Sequence, residues 1–308
     1  MTKILALALA LAGVCPAVLA QASWESQTGF EAGLRYWLST GRTQLSHNAQ
    51  GLDPIFGNPT SILTYEDLQA HVLELHGRWT TAERWFIKGN VGLGVIRNGS
   101  FDDEDYLAGQ VKFLDTTSSV TGKRLSYFSL DIGRDLWLTG GGRTTAGLFA
   151  GFQLWNEHAD AFGVTVTHDP FGIAGGNLPD SLLVISNEVT WKSIRLGLAT
   201  RTSLSKRTSI AMDLALVPYT TVRNEDSHHL RSDLGPVPNI IKTGTGWGAQ
   251  ADLELRHAVD ENLELGVGVR HWWLKATRGT DVALGTAVPI VDLESTRTGV
   301  TFTVLRRW

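Results

Sequence analysis

The chain has 308 residues, 43% of them hydrophobic and 19% charged, with a formal net charge of -4. That balance speaks against nucleic acid as a partner, because nucleic-acid binding calls for a basic patch; the length allows one large domain or two small ones. The 33 Gly and 11 Trp, against 2 Met, favour β-structure over helix.

The N-terminus reads as a targeting segment. Met1-Thr2-Lys3 carries one positive charge, Ile4 to Val14 is an unbroken run of apolar and small residues, and Val18-Leu19-Ala20 offers small residues for cleavage. A secretory signal is expected over residues 1–20, cut after Ala20, leaving 21–308 as a single domain. The run is shorter than the roughly 20 apolar residues a membrane helix needs. Cys15, the sole cysteine, lies inside this segment. The mature chain is therefore expected to manage without disulfides. Val14 is too bulky for a usual lipoprotein cleavage site, so no lipid anchor is expected.

Downstream, alternation replaces helical periodicity. Leu263, Leu265, Val267 and Val269 alternate with Glu264, Gly266, Gly268 and Arg270. Ile210, Met212, Leu214 and Leu216 alternate with Ser209, Ala211 and Asp213. Such period-2 patterning marks strands with one apolar and one polar face. Ten segments follow the rule, roughly 28–40, 62–77, 84–97, 124–137, 144–157, 183–201, 208–222, 245–257, 262–275 and 296–308. Short and long connections alternate between them. Gly140-Gly141-Gly142 reads as one of the tight turns.

The expected fold is all-β: a ten-stranded antiparallel up-and-down barrel with tight turns at one rim and five long outer loops at the other. The inward face carries Lys88, Asn90, Glu264 and Arg270, which is polar filling. With an export signal, this predicts a transmembrane β-barrel in a Gram-negative outer membrane, its loops facing the exterior. The expected partners are outer-membrane lipid and the barrel assembly machinery, since the chain ends on an alternating strand closed by Trp308. Trp85, Trp137, Trp155 and Trp272 are expected in interfacial girdles.

Two acidic motifs stand at the outer rim. Asp102-Asp103-Glu104-Asp105 follows the third segment, and Asn224-Glu225-Asp226-Ser227-His228-His229 follows the seventh. In a ten-stranded barrel these segments lie nearly opposite, so the motifs face each other across the mouth and could hold a water between them. Asp226 and His228 share a face on an extended backbone, which provides an oriented general base. One difficulty is parity: unbroken alternation places Asp226 and His228 on the lipid side with Leu214 and Leu216. Asp103 and Asp105 likewise share parity with Val95, so a bulge must shift each motif by one residue. His228-His229 with Asp226 has no third metal ligand at a recognisable spacing, so no metal and no cofactor is expected.

The order and spacing of these motifs resemble the omptin family of outer-membrane proteases, over most of the mature chain. The resemblance implies that Asp103 and Asp105 form one acidic pair and that Asp226 orients His228. His228 would take a proton from water, which attacks a peptide carbonyl; a peptide or protein is then the substrate. The chain departs from the family in two places. Leu45 and Asn224 stand where omptins carry acids that favour basic substrates, so that preference is not expected. Omptins also bind lipopolysaccharide after a Gly-Tyr-Gln-like segment; here Gly151-Phe152-Gln153 is followed by Leu154 and Asn156, and that site is expected to be absent or rebuilt. A non-enzymatic surface barrel for binding or adhesion is the alternative reading, and a pore is the third.

Overall fold

The computed structural model describes residues 28–283 and 285–308. The expected signal segment and Cys15 lie outside them. The chain forms eleven antiparallel strands in one sheet: β1 (Gly29–His47), β2 (Ser61–Thr80), β3 (Trp85–Leu107), β4 (Val111–Thr121), β5 (Arg124–Thr139), β6 (Thr144–His168), β7 (Leu178–Ser203), β8 (Thr208–His228), β9 (Ile240–Ala258), β10 (Leu263–Ala283) and β11 (Thr286–Arg307). β1 pairs with both β2 and β11, so the sheet closes into a ring.

Eleven strands replace the expected ten because the fourth is split. β5 pairs with the lower part of β3, and β4 with its upper part. Both also pair with β6. The break falls at Gly122 (φ 74), whose N–H donates to the Ile96 carbonyl of β3. A second correction concerns the outer connections. The expected long loops are largely strand: β8 runs to His228, β9 starts at Ile240, β10 runs to Ala283 and β11 starts at Thr286. Period-2 contrast fades here because outward positions become polar as well, although the backbone ladder continues. The tight-turn rim matches expectation; Gly140, Gly141 and Gly142 take φ values of 63°, 69° and 85° there, a left-handed run suited to glycine.

Toward the tight-turn rim the pattern is inverted relative to a water-soluble protein. Leu73, Leu93, Ile132, Leu196, Val269 and Val304 point outward and exposed. Glu74, Arg270, Glu254 and Arg297 are buried inside. Alternation thus puts an apolar belt outside and a charged filling inside.

That filling is closed at mid-height by aromatic rings. Trp37 and Trp272 have ring centroids 5.1 Å apart, Tyr127 and Trp272 4.8 Å, and Trp155 and Trp272 5.6 Å. The Arg270 guanidinium lies 5.0 Å from the ring centroids of both Trp37 and Trp272. It donates to Glu74 Oε2 at 2.6 Å and to Asp252 Oδ1 at 2.8 Å. The Trp residues therefore need correction. Trp85 and Trp137 are about half exposed, but Trp155 and Trp272 are 1% and 2% exposed and build this floor. Trp272 shares parity with inward Glu264 and Arg270, so its own alternation carries it inside. Below the floor, toward the tight-turn rim, a polar cavity of about 640 Å³ is lined by Glu31, Arg35, Lys88, Asp131 and Arg256 among others.

Candidate functional site at the upper rim

Both motifs stand on strands. Each is brought inward by a change of phase in its strand. On β8, Leu214 and Leu216 face out while Ala215 and Val217 face in. Pro218 and Tyr219 are then both exposed, the β8–β9 register shifts between Val217 and Thr220, and Thr220, Val222, Asn224 and Asp226 are buried. An extra residue in one strand moves every later side chain to the other face. On β3 the change falls at Arg97 and Asn98: Ile96 faces in before it and Phe101 after it, and the β2–β3 register shifts alongside. The shift that parity demanded therefore occurs in both strands.

Above these bulges, Asp103 and Asp105 face Leu63 and Ser61 of β2 in register. Ser61 Oγ donates to Asp103 Oδ1 at 3.5 Å. Glu104, on the other face, is held by Lys112 and by the Tyr106 hydroxyl. Across the ring, Asp226 is completely buried, with Oδ2 3.4 Å from His228 Nε2. The backbone of His228 is pinned by Asn239: His228 N–H donates to Asn239 Oδ1 at 3.0 Å, and Asn239 Nδ2 donates to the His228 carbonyl at 3.1 Å.

The two clusters share one electrostatic environment. Burial, then the Asp105 charge, pushes the Asp103 carboxyl up to about 7, with Asp226 adding to the rise and His228 opposing it. Burial also raises Asp105, against the pull of the Ser61 hydroxyl, His47 and His228. Burial works to raise Asp226 too, but the His228 and Lys242 charges outweigh it and hold that carboxyl at about 2. The His228 imidazole is raised: burial disfavours its cation, and the Asp226 charge 3.4 Å away overcomes that cost. Asp103, Asp105, Asp226 and His228 thus converge on one mouth.

Several neighbours were missed by sequence reasoning. Lys242 Nζ, 1% exposed, lies 3.5 Å from Asp226 Oδ2 and 3.5 Å from Asp281 Oδ2. Asp281 Oδ2 is 3.2 Å from His47 Nδ1. Tyr65 is buried beside Phe101, and the anionic Asp226 and Asp103 add to burial in raising its phenol well above the usual range. His47, Lys242, Asp281 and Asn239 all fall in stretches assigned to loops, where no period-2 signal called attention to them. Asn224 is buried and donates weakly to the Glu188 carbonyl at 3.4 Å, and Leu45 belongs to the apolar core. At the outer face, Asn156 donates to Glu188 Oε1 and Thr190 Oγ1, both at 2.8 Å.

A closed antiparallel sheet with an apolar exterior, a charged interior and no helix long and apolar enough to cross a membrane among the described residues has the build of an outer-membrane β-barrel. Comparison with solved structures agrees. The outer-membrane protease OmpT from Escherichia coli matches with a TM-score of 0.72 at 13% identity, over 91% of this chain and 97% of that one. At that identity the likeness is one of fold. The translocator domain of the autotransporter NalP from Neisseria meningitidis matches at a TM-score of 0.35 and 9% identity, over 90% of this chain and 88% of that one. The toluene transporter TodX from P. putida matches at 0.33 and 8%, over 92% and 91%. These two likenesses are too loose to bear on function. No family model and no curated protein matches the sequence.

Proposed function

We propose that this chain is an omptin-like endopeptidase of a Gram-negative outer membrane, its mouth opening outward among lipopolysaccharide and lipid. The observation that carries the reading is the 3.4 Å contact between His228 Nε2 and a fully buried, ionised Asp226, with Asp103 and Asp105 inside the field of the same imidazole. In the proposed cycle Asp226 holds Nε2–H, leaving Nδ1 as the base. Nδ1 takes a proton from water as its oxygen attacks the peptide carbonyl. Asp103 and Asp105, two carboxyls that resist joint ionisation, share a proton and position that water.

The test uses purified, refolded barrel and a panel of quenched fluorescent peptides. Removing a positioned base costs about 10²–10⁴-fold, so His228→Ala and Asp226→Asn should each lower kcat/KM by that much. Equal cleavage by either variant would sink the reading. A second reading, a non-enzymatic surface barrel, is favoured by Leu45 and Asn224. Both are fully buried, and neither supplies a charge to attract a substrate side chain. On that reading no peptide in the panel is cleaved, by wild type or variant.

A further inference from the structure

The mouth holds a second imidazole in the same kind of setting as the first. His47 ends β1; its Nδ1 faces Asp281, whose carboxylate is 5% exposed, just as His228 faces Asp226. The two carboxylates are tied to one buried amine, Lys242 Nζ, at 3.5 Å each. Neither imidazole is sunk in the wall: the side chains are 21% exposed for His47 and 15% for His228. His47 Nδ1 meets Asp281 as an ion-pair contact and makes no hydrogen bond.

Strand register fixes which way this second pair serves. His47 pairs with Ser61 of β2, and Ser61 pairs with Asp105 of β3. His47 therefore sits two strands from Asp105, at the same level. Both His47 and His228 act electrostatically on that carboxyl. Asp105 has His47 near it on its own wall and feels His228 from across the ring. A salt bridge that only braced the rim would need neither a partly exposed imidazole nor the shared amine.

We propose that His47, held by Asp281, is the acid that protonates the leaving nitrogen of a peptide whose carbonyl is attacked with the help of His228. This rests on the peptidase reading above. The step balances: water loses one proton to His228 Nδ1 while its oxygen bonds to the carbonyl carbon. The C–N bond then breaks, and its electron pair takes the proton of the His47 imidazolium. The products are a carboxylic acid and an amine. His228 leaves with one proton more and His47 with one fewer, and both reset against water at the mouth. Lys242 lies between both supporting carboxylates, 3.5 Å from each, and holds them in place.

Leaving-group chemistry separates this role from a bracing role. A peptide amine must be protonated to depart, whereas a nitrophenolate departs unaided. The experiment measures kcat for a peptide and for the matching nitrophenyl ester, with refolded full-length barrel. His47→Gln should lower the peptide-to-ester rate ratio by about 100-fold, and Asp281→Asn should lower it in the same direction. His228→Ala should depress both substrates together. Refolding of each variant is checked by the shift in gel mobility on heating. If His47→Gln lowers peptide and ester equally, or changes neither in an active barrel, the proposal is overturned. If wild type cleaves neither substrate, the peptidase reading falls first and this inference with it. Asp281→Asn provides an independent reading should His47→Gln fail to fold.

Discussion

The acid–imidazole pair at the mouth makes a definite statement about pH. His228 holds its proton to higher pH than free imidazole, because Asp226 is ionised at its side. The base form therefore appears only as pH climbs past the ordinary histidine range, and kcat/KM should rise through a midpoint above 6.5. The Asp103–Asp105 pair loses its shared proton near the same range, since Asp103 titrates at about 7. A pH–rate series should thus give a narrow bell whose two limbs belong to coupled groups. On the nitrophenyl ester, whose leaving group needs no acid, Asp103→Asn should remove the alkaline limb from the residual activity and leave the acid limb. A broad plateau in wild type would count against the assignment. Lys242 has its own test at this scale. Lys242→Met leaves two buried carboxylates without their common cation, and losing one partner of a buried ion pair costs about 3–5 kcal/mol. A lowered urea midpoint for the refolded barrel is the expected outcome.

Strands, rather than loops, carry the site, and their bulges decide which way it faces. Deleting Tyr219 should restore unbroken alternation through β8 and turn Thr220 to His228 by one face. Such a variant should refold, because the apolar belt below is untouched, yet lose cleavage of the peptide panel. The bulges also mark where sequence reading succeeds and fails. Below them, each strand has Leu or Val on one face and Glu, Arg or Gly on the other, so segment positions and the inward direction of Lys88, Glu264 and Arg270 were legible. At Arg97 and Pro218-Tyr219 the contrast is interrupted, and above them both faces are polar. Strand and loop then look alike in sequence, although the backbone ladder runs on through Asp105 and His228. That is why β4 was unforeseen, and why His47, Lys242 and Asp281 were passed over. The motif residues could be found because acids and a histidine at spacing two are conspicuous without strand context. Trp155 and Trp272 point inward because their own parity, not the affinity of an indole ring for an interface, sets their direction.

Across the whole molecule, the mid-height floor separates two polar spaces, the mouth above and the cavity below. Each buried Trp fills a large volume, and Arg270 is held from two sides by Glu74 and Asp252. The refolded wild-type barrel should therefore show no steady conductance in a planar bilayer. Trp272→Gly, which removes the ring touching Trp37, Tyr127 and Trp155, should introduce resolvable current steps. Steady wild-type current would favour the pore reading. An aromatic floor also dictates traffic. On the peptidase reading, a peptide that enters the mouth meets this floor, so both fragments of a cut would back out by the door they came in. An outer-membrane peptidase built this way would release its products on the side where it met its substrate, and nothing it cut would be imported by the act of cutting.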